Sequence, residues 1–446
     1  MKELMHPTRV VPAAFLSAIG LGTLLLMLPF ATATGRGADF VTAFFTATSA
    51  ICVTGLITVD TPTYWSAFGQ VTIMLLFQIG GLGIMTAATL LGLVAGRQLS
   101  LSGQAIALTE HGHLNRSEAV SLMKLVFIVS IAIEAIVAFC LWLRWWLGHG
   151  MKAGEAAWHS VFHSISAFNN AGFSTFSDSL MSWQGDPLIL GPVMAAIVIG
   201  GIGFPVLHEL WGRRKPAMRR RQWSLHSRIT LTVTLALIGG GTLLIFAAEW
   251  DNPATLGAMP FADGLLNALF HSVTMRTAGF NALDVGAFAD QTLAINYLFM
   301  MIGGGSAGTA GGLKVTTFAL LGFVVWSEIR GHAETTIFSR RVGSRIVRQA
   351  LSIVLIAIAL IGLITLLIAW IEPAIEFRFI LFETISAFAT VGLSTGITAD
   401  LSTPSQVLLV VLMFVGRVGT ITFATALALS ARSVKFRYPE EQPIVG

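Results

Sequence analysis

The sequence predicts an all-α membrane protein: four tandem helix–pore-helix–helix repeats around a pseudo-fourfold central pore. Three observations carry this. Hydrophobic residues make up 54% of the chain and charged residues only 11%, against about a quarter charged in soluble proteins, and the mean hydropathy is +0.77. Apolar runs of two lengths alternate along the chain. One short pattern ending in glycine recurs four times.

The long runs set the spans. Crossing a hydrocarbon core takes about 20 mostly apolar residues, and eight segments qualify: 10–32, 68–95, 121–147, 188–211, 229–249, 293–325, 346–371 and 404–430. Shorter apolar pieces near 40–51, 157–168, 261–274 and 377–388 lie between alternate pairs; they are too short to cross and suit re-entrant segments. Lys2 and Arg9 precede an apolar run longer than a secretory signal core, so 10–32 reads as the first spanning helix. The repeats then cover 1–96, 97–212, 213–330 and 331–446.

The recurrent pattern is FTATSAICVTGL at 45–56, FHSISAFNNAGF at 162–173, FHSVTMRTAGF at 270–280 and FETISAFATVGL at 382–393. A second glycine series follows it: IGGLG at 79–83, IGGIG at 199–203, IGGGS at 302–306 and VGRVG at 415–419. Close helix packing explains any one glycine pair. It does not explain four registers shared by eight motifs.

Each short helix enters from one side and aims its negative carbonyl end at the axis. The glycine beyond it permits dihedrals that turn successive carbonyls inward, and rings of carbonyls replace an ion's hydration shell. The four walls are Val53-Thr54-Gly55, Asn170-Ala171-Gly172, Thr277-Ala278-Gly279 and Thr390-Val391-Gly392. None contains Asp or Glu, which argues against a carboxylate-ring filter for divalent ions and favours a monovalent cation.

Charge placement gives the orientation. Most of the 27 Lys and Arg residues fall at the termini or between repeats, including the Arg213–Arg221 cluster, Arg340, Arg341, Arg345, Arg348, Arg432, Lys435 and Arg437. By the positive-inside rule both termini are cytoplasmic and the re-entrant segments enter from outside. Seven acidic residues, Asp178, Asp186, Glu249, Asp251, Asp284, Glu372 and Asp400, then lie outside, where they either concentrate cations or simply solvate the loops. The partner this composition demands is the lipid bilayer; nothing in it calls for nucleic acid. Cys52 and Cys140 offer no disulfide framework or metal spacing, and His159, His163 and His271 lack a zinc ligand set. With neither paired intramembrane Asp nor His-Glu-x-x-His, the chain is not expected to be an enzyme.

The third repeat carries Gly303-Gly304-Gly305-Ser306-Ala307-Gly308-Thr309-Ala310-Gly311-Gly312 in its second long helix. Each glycine costs a helix about 1 kcal/mol relative to alanine, so the helix is expected to break over about 303–313. The run lacks the Gly-Lys-Ser/Thr ending of a phosphate loop, and reads as an intramembrane loop obstructing the pathway. Arg417 occupies the position of Gly81, Gly201 and Gly304 in the other repeats. At an insertion cost of about 2.5–3.5 kcal/mol, it is expected to face water or a carbonyl partner, where its charge opposes cation passage. Arg276, just before Thr277, is expected to orient the filter backbone or to anchor carboxylates at the outer mouth. Glu134 sits mid-helix with no partner that the sequence names.

The four pore segments, SVTMRTAGFN, GGGSAGTAGG and VGRVGTIT together make the chain resemble the Trk/Ktr/HKT potassium transporter family over essentially its whole length, most nearly the Ktr-type membrane subunit. Some plant members carry Ser in the first filter, whereas Gly55 keeps the glycine here. The resemblance implies potassium as the transported ion, and gating by Gly303, Gly304, Gly305, Ser306, Gly308, Thr309, Gly311, Gly312 and Arg417. It also implies a homodimer in the bacterial cytoplasmic membrane, resting on a cytosolic nucleotide-binding regulatory ring of RCK type that docks on 213–228 and 330–348. Sodium stays open as a coupling or regulatory ion, and a sodium or non-selective monovalent-cation transporter is the alternative.

Overall fold

The computed structural model describes residues 7–98, 116–212, 223–332 and 334–419. The rest of the span predicted at 404–430, together with Lys2, the Arg213–Arg221 cluster, Arg432, Lys435 and Arg437, lies outside the described residues. The described residues are mostly helical, with almost no strand. The first repeat holds α1 (Pro7–Leu26), α2 (Phe40–Ile51) and α3 (Ala67–Gln98). The second holds α4 (Arg116–Leu143), α5 (Ala153–Asn169), α6 (Pro187–Ile202) and α7 (Phe204–Gly212). The third holds α8 (Leu225–Ala248), α9 (Phe261–Thr274), α10 (Asp290–Met301) and α11 (Val315–Ile329), and the fourth α12 (Ser344–Ile371), α13 (Phe377–Ala389) and α14 (Thr403–Phe414). A two-residue hairpin, β1 (Thr336–Ile337) with β2 (Arg340–Arg341), joins the last two repeats.

Local chemistry starts these helices. Asp39 caps α2 by accepting the Thr42 N–H at 3.0 Å, and Asp186 caps α6 by accepting that of Leu188 at 3.0 Å, with Pro187 in the first turn. Such caps satisfy N–H groups that a helix start leaves open.

Among the described residues, three helices are long and apolar enough to cross a bilayer alone: Val126–Gly148, Leu225–Ala248 and Ser344–Ile371. Large apolar side chains on α12, such as Leu355, Leu366 and Trp370, stand exposed on the outside, a surface suited to lipid and not to water. The chain is a multi-pass membrane protein.

The short helices α2, α5, α9 and α13 occupy the interior, and each packs against the second helix of the preceding repeat. The pairs are α5 with α3, α9 with α6, α13 with α10, and α2 with α14. The last pair joins the fourth repeat to the first and closes the circle. The second glycine series lets inner helices approach their own pore helix. A Cβ at Gly80 would lie 2.1 Å from the Ile51 carbonyl oxygen, at Gly200 1.9 Å from that of Phe168, and at Gly416 1.7 Å from that of Phe388.

Among the described residues two second helices are broken. The third opens between Met301 and Val315, over the glycine run. The second, expected as one span over 188–211, instead bends by 101° between α6 and α7. Gly203 turns there with φ +98°, and a Cβ on it would lie 2.3 Å from the Ser306 carbonyl oxygen. Phe204 donates its N–H to Ala307 at 3.3 Å. The third repeat's loop enters this bend and takes over a backbone bond that a continuous helix would make internally.

Gly203→Ala forces a side chain into that strained backbone, a cost of about 1–3 kcal/mol. The expected result is a lower apparent melting temperature in detergent. An unchanged melting temperature contradicts the invaded bend.

Candidate functional site

Beyond each pore helix the backbone repeats one conformation. Val53, Asn170, Thr277 and Thr390 have φ of +56°, +59°, +78° and +50°, and Gly55, Gly172, Gly279 and Gly392 have +93°, +70°, +80° and +88°. Left-handed backbone costs a residue other than glycine about 1–3 kcal/mol, most for β-branched ones, and three of the four leading positions are Val or Thr. Such strain persists only where surrounding bonds over-determine it.

Those bonds come from one column of the repeated pattern: Ser49, Ser166, Thr274 and Ser386. The Ser49 carbonyl accepts the Thr54 N–H at 2.8 Å, that of Ser166 accepts Ala171 at 2.8 Å, that of Thr274 accepts Ala278 at 2.9 Å and that of Ser386 accepts Val391 at 2.8 Å. The hydroxyls clip the same turns. Ser49 and Ser386 Oγ accept the N–H of Gly55 and Gly392, each at 3.1 Å. Ser166, Thr274 and Ser386 donate to the carbonyls of Phe173, Phe280 and Leu393 at 2.8, 2.7 and 2.6 Å. The third segment lacks one residue, yet the bond survives because it spans one residue fewer. The column was visible in the sequence, but its role in holding the turn was not.

The four glycines form a closed ring in chain order. A Cβ on Gly55 would lie 3.1 Å from the Gly172 Cα, on Gly172 2.9 Å from that of Gly279, on Gly279 3.2 Å from that of Gly392, and on Gly392 3.1 Å from that of Gly55. The same positions meet the carbonyl oxygens of Ala171, Ala278, Val391 and Thr54 at 2.4, 2.9, 2.6 and 2.0 Å. No side chain fits at any of the four. The structure thus brings all twelve wall residues together, with backbone oxygens set among the glycines. The Asn170 side chain turns away; with its amide flipped it donates to Ala167 and Ile197 carbonyls at 3.0 and 3.2 Å.

The glycine-rich loop of the third repeat packs beside this ring, on the second glycine series. Gly305 donates to the Gly201 carbonyl at 2.8 Å and Thr309 to that of Gly200 at 3.1 Å, while Thr309 Oγ1 donates to the Phe168 carbonyl at 3.2 Å. These partners belong to the second repeat. From the fourth, Arg417 Nη1 donates to the Thr309 carbonyl, and a Cβ on Gly311 would lie 1.8 Å from Thr390 Oγ1. Second and fourth repeats flank the third in the glycine ring, so the loop bridges its two neighbours. Gly303 donates its N–H to the Leu313 carbonyl at 2.8 Å and the Gly304 carbonyl accepts the Val315 N–H at 3.0 Å, and Gly308 packs on Gly201. Ser306 Oγ meets Thr316 Oγ1 at 3.3 Å, and Gly312 turns against Ala389 with φ +61°.

Three cationic side chains converge on the loop's carbonyls. Besides Arg417, which is 2% exposed and held in a π-helical turn after α14, Lys314 Nζ donates to Ala310 at 2.6 Å. Arg276 reaches the Gly303 carbonyl at 3.5 Å and Thr234 on α8 at 3.5 Å. It therefore serves neither the filter backbone nor an outer carboxylate, the two roles expected from its place in the sequence. Among the described residues none of the three has a carboxylate partner.

Glu134 has partners after all. Gln78 Nε2 from α3 donates to both of its carboxylate oxygens at 3.1 Å, and Asn169, the last residue of α5, donates to Gln78 Oε1 and, at 3.4 Å, to Glu134 Oε1. A buried cluster of one carboxylate and two amides thus braces the residue before the second wall against two neighbouring helices. Outward of the ring, His163 Nε2 meets Ser174 Oγ at 2.9 Å. Glu383 accepts from Ser394 Oγ at 2.6 Å, Thr395 N at 3.0 Å and Thr398 Oγ1 at 2.8 Å. His163 and Glu383 hold the same column of the pattern and tether the segments that leave the ring.

Comparison with known proteins agrees with this architecture. The family model described as TrkH, a cation transport protein, matches residues 2–436. The chain is 40% identical over 442 residues to Ktr system potassium uptake protein B of Bacillus subtilis, covering 99% of this chain and 97% of that protein. It is 37% identical to the protein of the same name in Vibrio alginolyticus (98% and 94% covered), and 34% identical to potassium/sodium uptake protein NtpJ of Enterococcus hirae (100% and 98%). The crystal structure of the potassium transporter TrkH from Vibrio parahaemolyticus shares the fold at a TM-score of 0.70, covering 94% of this chain and 85% of that one at 17% identity.

Removing the Glu134 acceptor leaves buried amide donors unsatisfied, each costing about 1–3 kcal/mol. Glu134→Ala is expected to lower the apparent melting temperature, and Glu134→Gln, which keeps an acceptor, to stay near the parent. Parental stability in the alanine variant contradicts the brace.

Proposed function

The chain belongs to the TrkH family of cation transport proteins, and from that premise we propose that it carries potassium into a bacterial cell through the glycine ring. The observation that carries this reading is the ring itself: four walls without a carboxylate, eight left-handed residues, and backbone oxygens set among the four glycines. Carbonyl rings replace the water shell of a monovalent ion, and four pore-helix carboxyl ends add a favourable potential for a cation. The relatives named for potassium uptake in Bacillus subtilis and Vibrio alginolyticus support the choice of ion. The Enterococcus hirae relative is named for both potassium and sodium, and this favours a second reading, transport of sodium or of monovalent cations without selection. Competition between the two ions in a flux assay separates them.

In this reading the loop over 303–313 is the gate. Its contacts with the second and fourth repeats support this, and the charges of Arg276, Lys314 and Arg417 oppose a cation there. Opening requires Thr309 to leave Arg417, Gly200 and Phe168. A few hydrogen bonds, at about 1 kcal/mol net each, hold the closed state, so a modest conformational bias from a partner suffices to release it.

That partner is, in our reading, a cytosolic nucleotide-binding regulatory ring of RCK type beneath a homodimer. The exposed Arg340 and Arg341 of the hairpin, with Arg345 and Arg348 at the start of α12, give the connection between the last two repeats a basic face, consistent with docking at 330–348. Both termini then lie in the cytoplasm of a bacterium, the four repeats follow the bounds 1–96, 97–212, 213–330 and 331–446, and sodium is retained as a coupling or regulatory ion.

Expression in a bacterium lacking potassium uptake should restore growth at low external potassium, and Gly392→Asp should abolish it. Arg417→Ala removes a charge-assisted bond of about 1.5–3 kcal/mol from the closed loop, which raises the open fraction by on the order of tenfold. Its expected effect is a higher maximal uptake rate or leak. An unchanged or lower maximum at normal expression contradicts the gate.

A further inference from the structure

On the outer side of the glycine ring lies a cavity of about 130 Å³ whose floor is Gly55, Gly172, Gly279 and Gly392, one from each repeat. Its lining includes hydroxyl and amide side chains but only one charged group, Asp60. The carboxylate is held at the seam between first and second repeats. Its Oδ2 accepts Thr63 Oγ1 at 2.6 Å and Ser177 Oγ at 2.7 Å, and Ser177 lines the same cavity. Both bonds fall on one oxygen; among the described residues Oδ1 takes none. Asp284 follows its glycine at the same interval in the third repeat, yet its carboxylate accepts the Gly286 N–H at 3.0 Å and does not line the cavity. No Lys or Arg lines it either.

A half-buried carboxylate on the wall of a cavity lined by hydroxyls and backbone groups, with no cationic side chain beside it, attracts positive charge. Its two hydroxyl donors fix its position and leave the charge uncancelled. We propose that Asp60 and the cavity above the ring form an outer binding site for a partly hydrated monovalent cation. The site loads the ion immediately before it enters the carbonyl ring. Because only the first repeat supplies the carboxylate, the ion is held off the axis, toward the seam with the second repeat, and surrenders part of its water to the surrounding hydroxyls before it centres. The inference rests on the pore reading above and adds the residue that sets apparent affinity.

The test is potassium uptake by the full chain, measured against potassium concentration at low and physiological ionic strength, for the parent, Asp60→Asn, Asp60→Glu and Asp400→Asn. Asp400 is exposed and does not line the cavity, so its variant controls for loss of a distant outer charge. Asp60→Asn is expected to raise KM by about fivefold at low ionic strength while leaving the maximal rate unchanged, and to flatten the salt dependence of KM, because the field of one exposed charge is screened within about 8–10 Å at physiological salt. Asp60→Glu should keep the parental salt dependence, and Asp400→Asn should match the parent. Parental KM in Asp60→Asn overturns the site while leaving the pore reading intact. So does a KM that rises with the parent's full salt dependence, or one that rises equally in Asp60→Glu, since either outcome marks packing and not charge. If the parent shows no saturable potassium uptake, the pore reading falls and the site with it.

Discussion

The structure depends on bringing four backbones so close that only glycine fits between them. Gly55, Gly172, Gly279 and Gly392 each stand where an added Cβ would fall within 3.2 Å of the next glycine's Cα. Non-helical backbone at membrane depth survives only when protein or a water-lined cavity surrounds it. The remaining architecture supplies that surrounding. Pore helices bring each turn inward, the second helix of the preceding repeat backs each pore helix, and the Ser/Thr column clips each turn to the helix that carries it. The left-handed Val53, Thr277 and Thr390 are tolerable because these bonds leave them no relaxed alternative.

The same close approach links the ring to the loop. Thr390 belongs to the fourth wall and also touches Gly311, and Arg276 precedes the third wall yet reaches the carbonyl of Gly303, the first residue of the glycine run. Ring and loop are therefore in direct contact through the third and fourth repeats. Glu134 extends the coupling outward by tying the second wall to helices α3 and α4 through Gln78 and Asn169.

Much of this was legible in the chain. The four walls showed because each is a local motif repeated at similar intervals, and the glycine run showed because helix propensity is itself local. What stayed hidden depends on contacts between distant segments. Hydropathy reads 188–211 as one span, since the bend at Gly203 is made by Ser306 and Ala307 from another repeat. Gln78 and Glu134 lie 56 residues apart, so no spacing rule pairs them. Arg276 could be placed beside the filter from its position, but its direction is set by where the third helix opens. Asp60 is marked out by Ser177, which lies 117 residues away, so no local pattern singles it out.

Anomalous scattering from thallous ions, which mimic potassium in size and charge, tests the central claim most directly when soaked into crystals of the protein. The prediction is a peak on the ring axis, within coordination distance of the Thr54, Ala171, Ala278 and Val391 carbonyl oxygens. A well-ordered ring with no axial peak, or ions bound only at carboxylates elsewhere, contradicts it.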